Sequence, residues 1–121
     1  MGQYWLLRFL TYACATEDTH MTLATHPLAE MAPKFIELSG EVLFNDVWER
    51  PGLSKRDRSL ITVASLVSLY RQNELPFHLK KALENGLTKE EIVEAITHLA
   101  FYSGWPTAAT ALTIAKSTFE Q

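Results

Sequence analysis

The sequence is poor in the residues from which many functional sites are built, and each shortage removes a class of chemistry. It holds one cysteine, Cys14. A lone thiol closes no disulfide within the chain and has no second thiol to resolve it once oxidised. Paired-cysteine redox chemistry is therefore excluded, and a reducing, cytoplasmic setting is expected. Basic residues never stand three in a row and the net charge is −3, so neither a nucleic-acid nor a membrane partner is expected. No apolar run reaches the roughly 20 residues needed to cross a bilayer. The five glycines and five prolines fall between periodic stretches and form no phosphate-cradling loop. There is no Gly-x-Ser-x-Gly elbow and no His-x-x-x-His pair, so neither a serine nucleophile nor a metal site is expected. Internal repeats, low-complexity tracts and long linkers are also missing.

What is present reads as helices. Residues 1–26 are taken as an N-terminal extension and 27–121 as one helical domain. In the extension, Trp5 to Ala15 is apolar, but Arg8 interrupts it and no basic residue precedes it, unlike a secretory signal. Ala13-Cys14 is a poor match to a lipoprotein cleavage site. An added helix, or a segment ahead of a true start at Met21, remain the two readings.

The domain itself is expected to be all-α, a bundle of about five or six helices. Pro33 can open a helix in its first turn, with Phe35, Ile36, Leu38, Val42 and Leu43 following at helical spacing. Arg50-Pro51-Gly52 breaks it. Ser54 to Asp57 resembles a capping start, and a helix over about 55 to 71 carries Leu60, Ile61, Ala64, Val67 and Leu69. Asn73 can cap the next helix, with Pro76 in its first turn and Leu79, Ala82 and Leu83 along it. Gly86 supplies a left-handed end. Thr88 and Glu91 form a capping box, with Leu87 and Ile92 as a hydrophobic staple across it. The next helix runs to Gly104 with Ile92, Val93, Ile96, Leu99 and Ala100 as its core stripe. Pro106 opens a last helix in which Ala108, Ala111, Leu112, Ala115 and Phe119 allow close packing.

Among groups able to do chemistry, His78 stands out because Glu74 precedes it by one helical turn. At that spacing the side chains share a face, and a carboxylate can fix the imidazole tautomer and raise its basicity. The same pattern also describes an ordinary surface pair worth a few tenths of a kcal/mol. His20 and His26 read as surface residues, and His98, four residues before Tyr102, as a packed, hydrogen-bonded histidine.

Three spaced segments carry a resemblance. Val47-Trp48-Glu49-Arg50-Pro51-Gly52-Leu53-Ser54-Lys55-Arg56-Asp57-Arg58-Ser59-Leu60 is similar to the carboxymuconolactone decarboxylase family. So are Glu74-Leu75-Pro76-Phe77-His78, continuing through Lys81 to Ile92, and Tyr102-Ser103-Gly104-Trp105-Pro106-Thr107-Ala108-Ala109. The match spans roughly residues 27 to 119. It implies the all-helical alkylhydroperoxidase D-like fold, and a lyase that decarboxylates a small lactone carboxylate such as 4-carboxymuconolactone without a cofactor. It also implies a role in aromatic-compound catabolism, and a homo-oligomer of dimers assembled into a hexamer, with the pocket near a subunit interface. Phe44, Trp48, Phe101 and Trp105 would supply aromatic surface for that interface.

On this reading His78 delivers the proton and Glu74 orients it. Arg58 or Arg71 holds a substrate carboxylate, while Tyr102 and Trp105 wall the pocket. For Arg58 the plainer alternative is a helix-surface charge, and for Trp105 a core or interface aromatic. Redox members of the fold use Cys-x-x-Cys with a histidine four residues beyond. Aligning that histidine with His78 puts Arg71 and Glu74 where the thiols would stand, and Ser59 where those relatives carry a glutamate. Peroxidase and disulfide-reductase activities are thereby disfavoured. Another small-molecule activity on the same fold, or a non-catalytic oligomeric module, are the alternatives.

Overall fold

A computed structural model describes residues 23–121, and every regular element in that range is helical. Cys14, His20 and most of the 1–26 extension lie outside the described residues. No helix among the described residues is long and apolar enough to cross a membrane. The chain divides after Glu49 into two compact units.

In the first unit a short 3-10 turn, Leu23–Thr25, precedes helix α1, Pro33–Leu38, with its proline in the first turn as the sequence implies. The helix then widens to a π-helical stretch, Ser39–Phe44, and a 3-10 turn, Val47–Glu49, follows. Ser39 turns its hydroxyl back onto the Phe35 carbonyl at 2.8 Å, a bond that bends helices. Ile36 and Trp48 are buried, and the Phe44 and Trp48 rings stack at 6.4 Å. Trp48 is thus not the exposed aromatic expected. Val42 and Leu43 are exposed instead.

The second unit holds α2 (Lys55–Ser68), α3 (Leu75–Glu84), α4 (Lys89–Ser103) and α5 (Trp105–Phe119). Ser54 caps α2 by accepting the Asp57 amide at 3.0 Å. The helix ends at Ser68, short of the expected Arg71, because Tyr70 adopts a left-handed φ of 60°. The Tyr70 amide bonds the Val67 carbonyl at 3.1 Å and the Arg71 amide bonds that of Leu66 at 2.8 Å. That pair of bonds is a Schellman motif, with tyrosine where glycine is usual. The motif recurs at the end of α3 with Gly86 at φ 103°, its amide on Leu83 and that of Leu87 on Ala82. Asn73 does not cap α3. The turn after Tyr70 leaves Asn73 outside the helix, and Glu74 takes the N-cap place with helical dihedrals and no side-chain cap bond.

Thr88 and Glu91 form both halves of the capping box, at 3.1 and 2.9 Å. Leu87 and Ile92 are buried beside it. Gly104, at φ 114°, ends α4 and opens α5.

The core joins Val63 and Val67 of α2 to Leu75, Leu79 and Ala82 of α3, Ile92 and Ile96 of α4, and Ala108, Ala111 and Ala115 of α5. The alanines recur at helical spacing and let α5 lie close to its neighbours. Three residues expected on core stripes, Ile61, Leu69 and Val93, are exposed. In α2 the buried line is Ser59, Val63 and Val67, four residues apart, so the inward face is rotated from the one that counting apolar residues suggests.

Candidate active site

Two side-chain bonds fix which helix ends lie together. Ser59, in the first turn of α2 and 1% exposed, accepts the Asn85 side-chain amide at 2.9 Å just past the end of α3. Helices α2 and α3 therefore run antiparallel. At the other end, the hydroxyls of Ser68 and Ser103, the last residues of α2 and α4, lie 2.7 Å apart. The end of α2, the start of α3, the end of α4 and the start of α5 consequently share one end of the bundle.

Five of the six residues singled out from sequence belong to that end: Arg71, Glu74, His78, Tyr102 and Trp105. Arg58 does not. It lies in the first turn of α2, and at 1.5 Å per residue roughly 15 Å of helix separates it from Ser68. Its Nη2 donates to the Arg50 carbonyl at 3.1 Å, and its Nε is buried without a hydrogen-bond partner among the described residues. At that separation one carboxylate cannot touch both Arg58 and Arg71.

His78 sits one turn into α3, half-buried, with Nδ1 inaccessible to solvent and the neighbouring Phe77 ring edge-on at 5.0 Å. Burial lowers its pKa below the ordinary 6.5, and the Lys81 ammonium lowers it further. Glu74 acts in the opposite, expected direction but is outweighed. Exposed at the N-cap, Glu74 accepts the His78 amide on its backbone carbonyl at 3.4 Å. The resting imidazole is therefore neutral at pH 7 and available to take up a proton.

Tyr102 and Trp105 are largely exposed, at 78% and 68%. Tyr102 lies 4.8 Å from the ring of His98, and Phe101 stands edge-on to Trp105 at 6.3 Å. His98 is exposed rather than packed in the core, because the helix turns Ile92 and Ile96 inward instead. His26 reads as expected, a surface residue whose Nδ1 accepts the Leu28 amide at 3.1 Å.

A shallow depression, open to solvent, lies between the end of α2, the start of α3 and α5. Arg71 and Tyr70 border it together with Gln72, Thr107 and Thr110. No sequence signal marks Gln72 or Thr110, and Thr107 stands in a segment that carries the family resemblance without being singled out there. Only the docking of α5 brings the threonines to the depression that Arg71 borders. Among the described residues no three His, Cys, Asp or Glu side chains gather to hold a metal ion.

The model of the carboxymuconolactone decarboxylase family matches residues 33–117. A protein of Acinetobacter baylyi named 4-carboxymuconolactone decarboxylase is 34% identical over 103 residues, which cover 85% of this chain and 77% of the relative. A nitrosuccinic acid decarboxylase of Metarhizium robertsii is 38% identical over 82 residues, 68% of this chain and 57% of the relative. An uncharacterized 15.0 kDa protein of Paracoccus denitrificans is 30% identical over 83 residues, 67% of this chain and 62% of the relative. The chain thus spans less than two thirds of the length of the latter two.

Proposed function

The chain belongs to the carboxymuconolactone decarboxylase family, and from that premise we propose that it removes carbon dioxide from a small lactone carboxylate such as 4-carboxymuconolactone, without a cofactor. The observation that carries this reading is a half-buried, neutral-resting imidazole, His78, at the same end of the bundle as an arginine, Arg71.

In such a reaction the bond between the ring carbon and the carboxylate breaks. Its electron pair moves into the lactone carbonyl, carbon dioxide leaves, and a proton is delivered to carbon. The lactone is its own electron sink. His78 serves as the donor once it is protonated, and a bound anionic substrate favours that by drawing its pKa upward. Glu74 supports the imidazolium and Lys81 opposes it. Arg71 holds a carboxylate.

Tyr102 and Trp105 face solvent on one chain, so as pocket walls they need a second copy opposite. We assign them, with Phe101 at 79% exposure, to a homo-oligomer interface, dimers assembling into a hexamer. Exposed aromatic surface of this kind is typical of interface cores.

The test is incubation of the purified protein with 4-carboxymuconolactone. Carbon dioxide released in step with lactone consumed supports the reading; a folded protein that releases none refutes it. Decarboxylation of another small acid is the second reading, favoured by the 38% identical relative named nitrosuccinic acid decarboxylase.

A further inference from the structure

We propose that Arg71, Gln72, Thr107 and Thr110 form a subsite for the carboxylate of a short aliphatic acid, whose carbon chain rests on Leu75 and Ile114. All six residues line the depression between α2, α3 and α5. Leu75 is buried and Ile114 partly so, which gives the depression an apolar floor, and Arg71, Gln72, Thr107 and Thr110 border it. Ligand sites in general combine such a floor with a few convergent polar groups.

The rim groups are uncommitted. Among the described residues the Arg71 guanidinium makes no ion pair or hydrogen bond. The α5 threonines divide into two pairs. Thr113 and Thr118, away from the depression, donate to carbonyls one turn back at 2.9 and 2.8 Å. Thr107 and Thr110, on the depression, make no such bond among the described residues.

The chain also holds Tyr70 left-handed just where it brings Tyr70, Arg71 and Gln72 to the rim. Non-glycine residues in that conformation cluster at functional sites. A guanidinium flanked by an amide and two hydroxyls matches a carboxylate, which accepts several hydrogen bonds and pairs with arginine in a bidentate fork.

The subsite deepens the decarboxylase reading, on which the substrate's identity rests, because it would grip a carboxylate that the substrate retains. Binding by itself does not depend on turnover. The experiment is calorimetric titration of the full chain with succinate and with succinamide, its uncharged analogue. Variants are Arg71→Ala, Arg71→Lys, Arg58→Ala, Thr110→Val and Lys80→Ala. Succinate is expected to bind and succinamide to bind at least about tenfold more weakly, as the loss of charge-assisted bonds implies. Arg71→Ala should weaken succinate by about 10- to 100-fold, with Arg71→Lys between it and wild type because the fork is lost and the charge kept. Thr110→Val should weaken it several-fold, and Lys80→Ala should change nothing.

Three results overturn the proposal. They are no succinate binding at millimolar concentration, unchanged binding on Arg71→Ala, or loss on Arg58→Ala with Arg71→Ala intact. Should 4-carboxymuconolactone prove inert while succinate binding still depends on Arg71, the decarboxylase reading falls and the subsite stands.

Discussion

Replacing Tyr70 by glycine and, separately, by alanine isolates the energy stored where α2 ends. Both substitutions delete the ring, which is 55% exposed, so whatever contact it makes is lost equally and cancels from the comparison. Alanine keeps a Cβ at φ 60° and with it the left-handed penalty of about 1–2 kcal/mol. Glycine relieves that penalty but gains freedom in the unfolded chain worth about 0.5–1 kcal/mol. The glycine variant should therefore be the more stable of the two by about 0.5–1 kcal/mol, which for a chain of this length is a rise of a few degrees in Tm. Urea melts followed by circular dichroism would report it as a higher midpoint at unchanged slope. An alanine variant as stable as the glycine one would refute the reasoning, since it would mean that the backbone at 70 carries no strain.

Leu79 is fully buried, so Leu79→Ala should cost about 2–5 kcal/mol in the same melts; a loss under about 1 kcal/mol would contradict its place in the core. Thr88→Ala should cost about 1 kcal/mol by removing a cap, and Thr88→Ser should restore it. The backbone amide of Thr88, with Arg56, holds the Glu91 carboxyl below its ordinary 4.5. Its contribution to stability is therefore complete above that value and lost as the pH falls below it, and Glu91→Gln should flatten this acid limb. His78 has its folded pKa lowered from 6.5, so the unfolded state binds more protons and stability should decline as the pH drops below 6.5. Lys81→Met should raise that pKa, and Glu74→Gln should lower it. The limb of kcat/KM that falls with rising pH should move up in the first and down in the second, and movement in the same direction would contradict the assigned charges.

Helix starts and stops set by local chemistry are legible in the sequence. The Ser54 cap, the Thr88–Glu91 box and the left-handed Gly86 each need only residues within one turn of themselves. The end of α2 is not legible in this way, because a Schellman motif is signalled by glycine and here Tyr70 occupies the left-handed place. Core faces are half legible. Ile92, Ile96, Leu79 and Ala82 are buried, whereas Ile61, Leu69 and Val93 are not. The chain carries more apolar residues at helical spacing than one bundle of this size encloses, so periodicity over-counts the core. At the site, the family resemblance points to His78 and Glu74, and their spacing puts them on a shared face. The burial of Nδ1 and the dominance of Lys81 over Glu74 depend on tertiary packing, which spacing does not report. The grouping of Arg71 with Thr107 and Thr110 joins residues more than thirty positions apart in the sequence, and no local pattern announces it.

The most direct test of the central claim is the turnover of 4-carboxymuconolactone by His78→Ala, measured beside wild type with helical content, Tm and oligomeric state checked on the same samples. A loss of about 10²–10⁴-fold in kcat is expected, the usual worth of a placed general acid or base, with the fold intact. Near-normal turnover by a folded His78→Ala protein, or a loss explained wholly by unfolding or dissociation, would contradict it.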